Sequence, residues 1–233
     1  MRAKLVLVVL IMTVFMRGAD SRDLLPVDVD KYPWSSIGKL YNRAGGVCTG
    51  AVISPSEVLT AAHCLYSRRT GVLLQPESLH FLLGYKQGEY RYDLGISKFT
   101  IGPSYKPDRS GTPERDDWAI LKLALPVSAQ VKPVLLAEKP LSVGNRIMVG
   151  GFARPRGFVM TADTDCRVRA ILLNGLIVHD CAVVEGDSGA PLMRENGDMI
   201  EVVGVNIAKA RINGVEVKIA VSATSLDQTT PRP

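Results

Sequence analysis

Three Asn-Gly dipeptides in the second half of the chain place the strongest constraint on its fold. Each is flanked by strand-like sequence, in RAILLNGLIV, PLMRENGDMIEVVGV and ARINGVEVKIAV. Asn-Gly supplies the two positive φ values of a type I′ turn, so the pattern predicts three tight antiparallel hairpins. The predicted turns are at Asn174-Gly175, Asn196-Gly197 and Asn213-Gly214.

The first half has a similar pattern with weaker turn signals. Candidate strands are IGKLY, TGAVIS, EVLTAA, LHFLLGY and WAILKLA, separated by Gly, Pro and Ser, and helical periodicity is scarce. A chain of 233 residues with 46% hydrophobic content can bury a substantial core. The sequence therefore predicts an all-β protein, with a seam at LPVSAQVKP, residues 125 to 133.

The N-terminus has the charge and length of a secretory signal. Arg2 and Lys4 precede an apolar run over residues 5 to 16, too short for a membrane span. We expect a signal peptide over residues 1 to 21, cut near 19 to 21, and a lead or short propeptide over 22 to 32. The mature chain is then secreted or periplasmic, with no membrane span.

Charge argues against a nucleic-acid partner. Arg2, Lys4 and Arg17 lie in the predicted signal, so a cut after Ala19 removes three positive charges and lowers the formal net charge from +5 to +2. A charge of +2 does not favour polyanions.

Four cysteines in an exported chain indicate two disulfides. Three pairings are possible, and the order along the chain favours Cys48 with Cys64 and Cys166 with Cys181, because both spacings are short. No CxxC or HxxxH pair is present, so we expect no metal site and no cofactor.

Three short motifs carry residue types suited to acyl transfer. His63 ends VLTAAHC, Asp117 precedes an apolar strand in RDDWAILKL, and Ser188 lies between glycines in GDSG. Small neighbours leave room for a substrate, and consecutive backbone N–H groups can point at one oxygen. Taken singly, each residue has an ordinary alternative: a packed histidine, a charge at a strand entry and a loop serine.

Together, TAAHC, DDWAIL and GDSGAPL resemble the chymotrypsin-like (trypsin-like) serine peptidase family. The resemblance covers most of residues 33 to 225 and extends to PWSSIGKL, GGVCTGAVIS, IGPSYKP and VVGVN. The CTGAVIS segment and the short C-terminus look closer to the bacterial branch that contains the glutamyl endopeptidases.

The resemblance implies two perpendicular six-stranded antiparallel β-barrels with the active site in the cleft between them. We expect the first barrel over residues 33 to 125, the second over 126 to 227, and a polar tail over 228 to 233. Ser188 would be the nucleophile, His63 the general base, and Asp117 the residue that orients His63. Asp116 is the rival for the last role, but only Asp117 directly precedes the strand.

The same resemblance assigns the oxyanion hole to the backbone N–H groups of Gly186 and Ser188. Asp187 commonly pairs in this family with a newly exposed N-terminal amine. This chain has no Ile-Val-Gly-Gly start, and the corresponding region is SRDLLPVDVDKYPW, with Arg22 as a candidate processing site. Activation by cleavage therefore stays open.

The primary pocket has Ala182 at its base and Asn206, Ile207 and Ala208 along its wall, by the same resemblance. Alanine offers no charge, so we expect cleavage after small or medium uncharged residues, with Asn206 orienting the substrate. Glutamyl endopeptidases usually have a histidine where Asn206 falls, so its absence weakens acidic specificity, which Lys209 or Arg211 near the cleft would partly restore. The remaining histidines, His80 and His179, lack motif context and are interpreted as structural.

Two other functions compete with a serine endopeptidase. An α/β-hydrolase esterase requires Gly-x-Ser-x-Gly and the order Ser, Asp, His, whereas here Ala190 takes the fifth position and His63 comes first. A catalytically silent binding protein of the chymotrypsin fold is the stronger alternative. The expected partners are polypeptide substrates, and a protein inhibitor is a further candidate.

Overall fold

The computed structural model describes residues 24–42, 45–67, 69–107, 114–153, 157–212 and 214–226. The predicted signal peptide, Arg22 and the predicted polar tail lie outside the described residues.

Six antiparallel strands form the first closed barrel. They pair in the order β2, β3, β4, β7, β6, β5, and β5 pairs with β2 to close the ring. The strands are β2 (Ile37–Asn42), β3 (Val47–Ser54), β4 (Glu57–Thr60), β5 (Leu79–Leu83), β6 (Tyr92–Ile101) and β7 (Ala119–Leu123).

The second barrel also has six antiparallel strands, which pair in the ring order β9, β10, β11, β14, β13, β12. They are β9 (Arg146–Gly151), β10 (Thr161–Ile171), β11 (Leu176–His179), β12 (Pro191–Asn196), β13 (Met199–Ile212) and β14 (Val215–Ser222). Two short strands outside the ring pair with strands of this barrel: β1 (Leu25–Pro26) pairs with β10, and β8 (Leu135–Leu136) pairs in parallel with β13. The predicted all-β fold of two six-stranded barrels is confirmed.

Helical structure in the described residues is confined to four short 3₁₀ turns. These are Trp34–Ser36, Ala62–Leu65, Pro76–Ser78 and Ala223–Ser225. Within the described part of the chain, no helix is both long and apolar enough to span a membrane.

Close packing in the first barrel depends on small residues around Phe81, which is fully buried. A Cβ atom on Gly38 would come within 2.4 Å of the Phe81 ring, and one on Gly50 within 3.2 Å. Both glycines therefore make room for this aromatic side chain, because protein interiors leave little free space.

The hairpins at the two fully described Asn-Gly sites are confirmed, but the predicted type I′ turns are wrong. Type I′ needs positive φ at both central residues, and neither Asn174 nor Asn196 has it. Gly175 instead follows a turn closed by its N–H to Leu172 O, as in a three-residue loop with an αL glycine. Gly197 has φ 60° at the first central position, as in type II′. Asn213 lies outside the described residues.

Both predicted disulfides are confirmed. Cys48 on β3 bonds to Cys64 in the turn Ala62–Leu65, and Cys166 on β10 bonds to Cys181. The first bridge attaches the turn that contains His63 to the wall of the first barrel. The second fixes the start of the segment that leads to Ser188.

Candidate active site

His63 lies in the 3₁₀ turn that follows β4, where it is partly exposed. Its neighbours Ala62 and Cys64 are buried, and the disulfide from Cys64 to β3 holds the turn. The backbone is therefore anchored on both sides of the imidazole while the ring itself reaches the surface.

Asp117 makes two hydrogen bonds to His63. Its Oδ2 lies 2.8 Å from His63 Nδ1, and its Oδ1 accepts from the His63 backbone N–H at 2.9 Å. Because an ionised carboxylate can only accept, Nδ1 carries the proton and Nε2 is left with its lone pair. Asp117, and not its neighbour Asp116, makes these contacts, and it is only 8% exposed.

Ser188 lies in the loop between Cys181 and β12, and it is half-buried. Its carbonyl accepts a hydrogen bond from Thr49 N–H at 2.8 Å and lies 3.8 Å from Cys64 Sγ. The loop that carries the serine therefore lies beside the residue that follows His63.

Gly189 allows this close approach. It has φ 80°, and a Cβ atom there would lie 2.2 Å from Thr60 Oγ1 and 2.3 Å from Thr49 O. Any side chain at this position would push the serine loop away from β3 and β4. The glycine after Ser188 is thus required both by its conformation and by the space available.

Three consecutive carbonyl groups of the serine loop are bonded into the protein. Gly186 O accepts from Thr49 Oγ1 at 3.1 Å, and Asp187 O accepts from Asn206 Nδ2 at 2.9 Å and from Ala190 N–H at 3.0 Å. Ser188 O is bonded to the Thr49 backbone, as above. The peptide planes around the serine therefore have fixed directions.

Asp187 carries the most unusual carboxylate of the site. It is 3% exposed, and Oδ2 accepts from Val184 N–H at 2.8 Å. Oδ1 is buried and has no hydrogen-bond partner among the described residues. Burial raises the pKa of Asp187 from 3.8 to about 7, although the Val184 N–H and the Lys209 charge act in the opposite direction.

The predicted pocket residues differ in their accessibility. Ala182 and Ala208 are half-buried, whereas Ile207 and Asn206 are buried. The Asn206 amide is bonded to the serine loop, so its predicted contact with the substrate stays a prediction. Lys209 and Arg211 are exposed.

Sequence reasoning missed Asp163, on β10. It is buried, and its Oδ2 accepts from Ala182 N–H at 2.9 Å while Oδ1 accepts from Asp165 N–H at 3.1 Å. No local motif marked this residue, because its contact with Ala182 joins segments 19 residues apart.

His80 lies away from the site, on β5. It bonds to Asp93 at 2.9 Å through Nδ1 and stacks on Tyr41, with ring centroids 5.0 Å apart. These contacts agree with its structural interpretation. His179, at the end of β11, is 1% exposed.

A cavity of about 450 Å³ adjoins His63 on the side of the first barrel. The Cys48–Cys64 disulfide, Tyr66 and Arg69 contribute to its wall, and the described residues that line it include no carboxylate. Cys48, His63 and Cys64 also bring three potential metal ligand atoms within 4.8 Å. The two sulfurs are bonded to each other, so they offer no thiolate to a metal ion.

Comparison with known proteins identifies relatives over most of the chain. The family model described as Trypsin matches residues 27–225. Serine protease SP24D of Anopheles gambiae is 27% identical over 175 residues, which cover 68% of this chain and 60% of that protein. CLIP domain-containing serine protease B4 of the same species is 27% identical over 222 residues, 77% of this chain and 60% of the relative.

Mannan-binding lectin serine protease 1 of Homo sapiens is 31% identical over 120 residues, 46% of this chain and 17% of that protein. The chain thus spans 60% or less of the length of these three relatives. They come from an insect and a mammal, and the predicted bacterial glutamyl-endopeptidase branch is not supported. The CTGAVIS segment that suggested it is too short to separate branches of one fold. With two closed barrels and a family match from residue 27 to 225, the chain belongs to the trypsin family of serine proteases.

Proposed function

We propose that this protein is a secreted serine endopeptidase that hydrolyses peptide bonds through an acyl-enzyme, with His63, Asp117 and Ser188 as its catalytic triad. The observation that carries the proposal is the pair of hydrogen bonds that the Asp117 carboxylate accepts from His63, at 2.8 and 2.9 Å. Membership of the trypsin family and the two disulfides, which fit an exported protein, support it further.

In the first step, Ser188 Oγ attacks the substrate carbonyl carbon and His63 Nε2 takes the hydroxyl proton. Asp117 keeps the Nδ1–H tautomer and stabilises the imidazolium that forms. The imidazolium then gives the proton to the leaving amine, and the C–N bond breaks. Water attacks the resulting ester by the same route, so that Ser188 is regenerated.

The backbone N–H groups of Gly186 and Ser188 are the proposed oxyanion hole. Each donor of this kind contributes a few kcal/mol to stabilising the tetrahedral intermediate. The hydrogen bonds that hold the Asp187 carbonyl support the role of the Ser188 N–H, which lies in the same peptide plane, because a donor that is already oriented needs no rearrangement during the reaction.

The cavity beside His63 suits the part of the substrate that follows the cut. His63 must reach the leaving amine, and the cavity is lined by His63 and by first-barrel residues, away from the pocket strand β13. Arg69 gives this wall a positive charge. The residues after the cut would therefore bind along the Cys48–Cys64 disulfide.

The pocket for the residue before the cut would have Ala182 at its base and Ile207 and Ala208 along its wall. These side chains are uncharged, and apolar burial of one small side chain distinguishes substrates by only about 1 to 3 kcal/mol. Broad cleavage after small or medium uncharged residues follows.

We predict that Ser188→Ala and Asp117→Asn each lower kcat for peptide hydrolysis by at least about 10³-fold, because the triad acts as a unit. Asp116→Asn is the matched control, since the neighbouring carboxylate does not contact His63, and it should keep kcat within twofold. Steady-state kinetics on purified variants with unchanged melting temperatures measure this. Full turnover by folded Ser188→Ala protein would refute the proposed function.

For specificity, we expect Val, Ala and Leu to dominate the position before the cut in a peptide-library digest. Mass spectrometry of the cleavage products reads this position directly. Dominance of Arg or Lys would contradict the uncharged pocket. The negative charge that binds these residues would then be assigned to Asp163, which accepts a hydrogen bond from Ala182 N–H. Dominance of Glu would point to Lys209 or Arg211.

The pKa of Asp187 leads to a prediction about stability and pH. Because the folded-state pKa is raised to about 7, the folded form binds this proton more tightly than the unfolded chain does. The resulting stabilisation is present below about pH 4 and is lost as the pH rises towards 7. Asp187→Asn stays neutral, so it should be more stable than the parent at pH 8, by up to on the order of 4 kcal/mol.

Urea unfolding at pH 5 and pH 8 measures this difference, with Ser188→Ala as the parent to prevent self-digestion. The advantage of Asp187→Asn should be larger at pH 8 than at pH 5. A parent that gains stability relative to Asp187→Asn between these values would mean that a cation pairs with Asp187.

A further inference from the structure

Asn206 contacts Asp187, the residue that precedes the candidate nucleophile Ser188. It is on β13, paired with Ala220 of β14, and only 4% exposed. Its Nδ2 donates to Asp187 O at 2.9 Å, while its Oδ1 is buried without a hydrogen-bond partner among the described residues. A buried amide oxygen of this kind needs a nearby donor.

His179 is the candidate donor, and both of its ring nitrogens are also buried without a hydrogen-bond partner among the described residues. It ends β11, is 1% exposed, and is paired with Lys218 on the same strand, β14, that pairs with Asn206. Burial lowers its pKa to about 4, and the Asn206 side chain is the strongest influence acting the other way. The ring is therefore neutral at pH 7, with one N–H to donate and one nitrogen able to accept.

An amide side chain can place its oxygen and its nitrogen in either of two arrangements. With Nδ2 towards Asp187 O, the Asn206 oxygen faces away from the serine loop and can accept from the His179 N–H. In the reversed arrangement, two carbonyl oxygens would face each other at Asp187, and two N–H groups would face the imidazole. The Asp187 carbonyl thus selects the arrangement with Nδ2 towards it, and a His179 N–H directed at Oδ1 would hold the amide in that arrangement.

The Asp187 carbonyl and the Ser188 N–H belong to one peptide plane. This peptide bond is trans, because the cis bond in the described residues is Tyr32-Pro33. In a trans peptide the C=O and N–H point in opposite directions. A carbonyl held by Asn206 inside the barrel therefore directs the Ser188 N–H outwards, towards the position of a bound substrate carbonyl.

We propose that Asn206 and His179 are positioning residues for the oxyanion hole: Asn206 fixes the Asp187–Ser188 peptide, and His179 fixes the orientation of the Asn206 amide. This inference rests on the proposed peptidase function. It gives both side chains a task in the transition state, when charge develops on the substrate oxygen.

The kinetic test compares His179→Leu, which removes the donor, with His179→Gln, which keeps an N–H group. We expect His179→Leu to lower kcat by about 10- to 100-fold with KM within twofold, because the oxyanion donor is lost in part. His179→Gln should recover kcat to within about threefold of the parent protein. His80→Gln is the matched control, because His80 lies outside the site, and its kcat should stay unchanged.

Unchanged kcat in folded His179→Leu would overturn the proposal, and so would a His179→Gln variant no better than His179→Leu. A rise in KM at constant kcat would also overturn it, because it would place His179 in substrate binding. Failure of the unmodified protein to hydrolyse any peptide is a separate result, which would refute the proposed function itself.

A second measurement does not depend on turnover or on the folding of a His179 variant. In ¹⁵N-labelled Ser188→Ala protein, the side-chain N–H protons of Asn206 should exchange with solvent much more slowly than those of exposed asparagines, and the His179 ring should be one neutral tautomer at pH 7. Free exchange, or a mixture of tautomers, would overturn the proposed contact.

Discussion

The hydrogen bond from Thr49 N–H to Ser188 O joins the barrel that carries His63 and Asp117 to the loop that carries the nucleophile. Thr49 is fully buried on β3, directly after Cys48, and its hydroxyl also bonds to Gly186 O and accepts from Phe152 N–H. Thr49 therefore joins the first barrel to Phe152 and to the serine loop at Gly186 and Ser188. The spacing of the candidate triad depends on this contact.

The contact between Thr49 and the serine loop explains two features of the surrounding sequence. Gly189 has no side chain because Thr49 O and Thr60 Oγ1 occupy the space that a Cβ atom would need. The Cys48–Cys64 disulfide starts one residue before Thr49 and ends one residue after His63. Movement of β3 would thus displace the general base and the nucleophile loop together.

Behind the nucleophile, the second barrel buries polar groups where an apolar core would be more stable. Asp187 Oδ1, Asn206 Oδ1 and both ring nitrogens of His179 are buried without a standard hydrogen-bond partner among the described residues. Each unsatisfied group costs about 1 to 3 kcal/mol. This cost fits a role in orienting the serine loop, because Asn206 of this group holds the Asp187 carbonyl, whereas packing alone would favour apolar residues.

The sequence predicts those features that short segments determine. The all-β class follows from the strand and turn pattern, the two six-stranded barrels follow from the family resemblance, and both disulfides follow from short spacings. The positions of His63, Asp117 and Ser188 follow from three short motifs. Thr49, Asp163 and the bond from Asn206 to the serine loop were missed, because contacts between distant segments create their roles. The turn types were wrong for a local reason: at Gly175 and Gly197 the glycine alone takes the positive φ.

The central claim is that Ser188 is a nucleophile activated by His63, and a fluorophosphonate probe tests it most directly. The probe reacts only with an activated serine, which separates an enzyme from a catalytically silent binding protein of the same fold. We expect one probe molecule per chain, mapped to Ser188 by peptide mass spectrometry, with labelling abolished in Ser188→Ala and strongly slowed in His63→Ala. A folded protein that is not labelled, or is labelled elsewhere, would contradict the account.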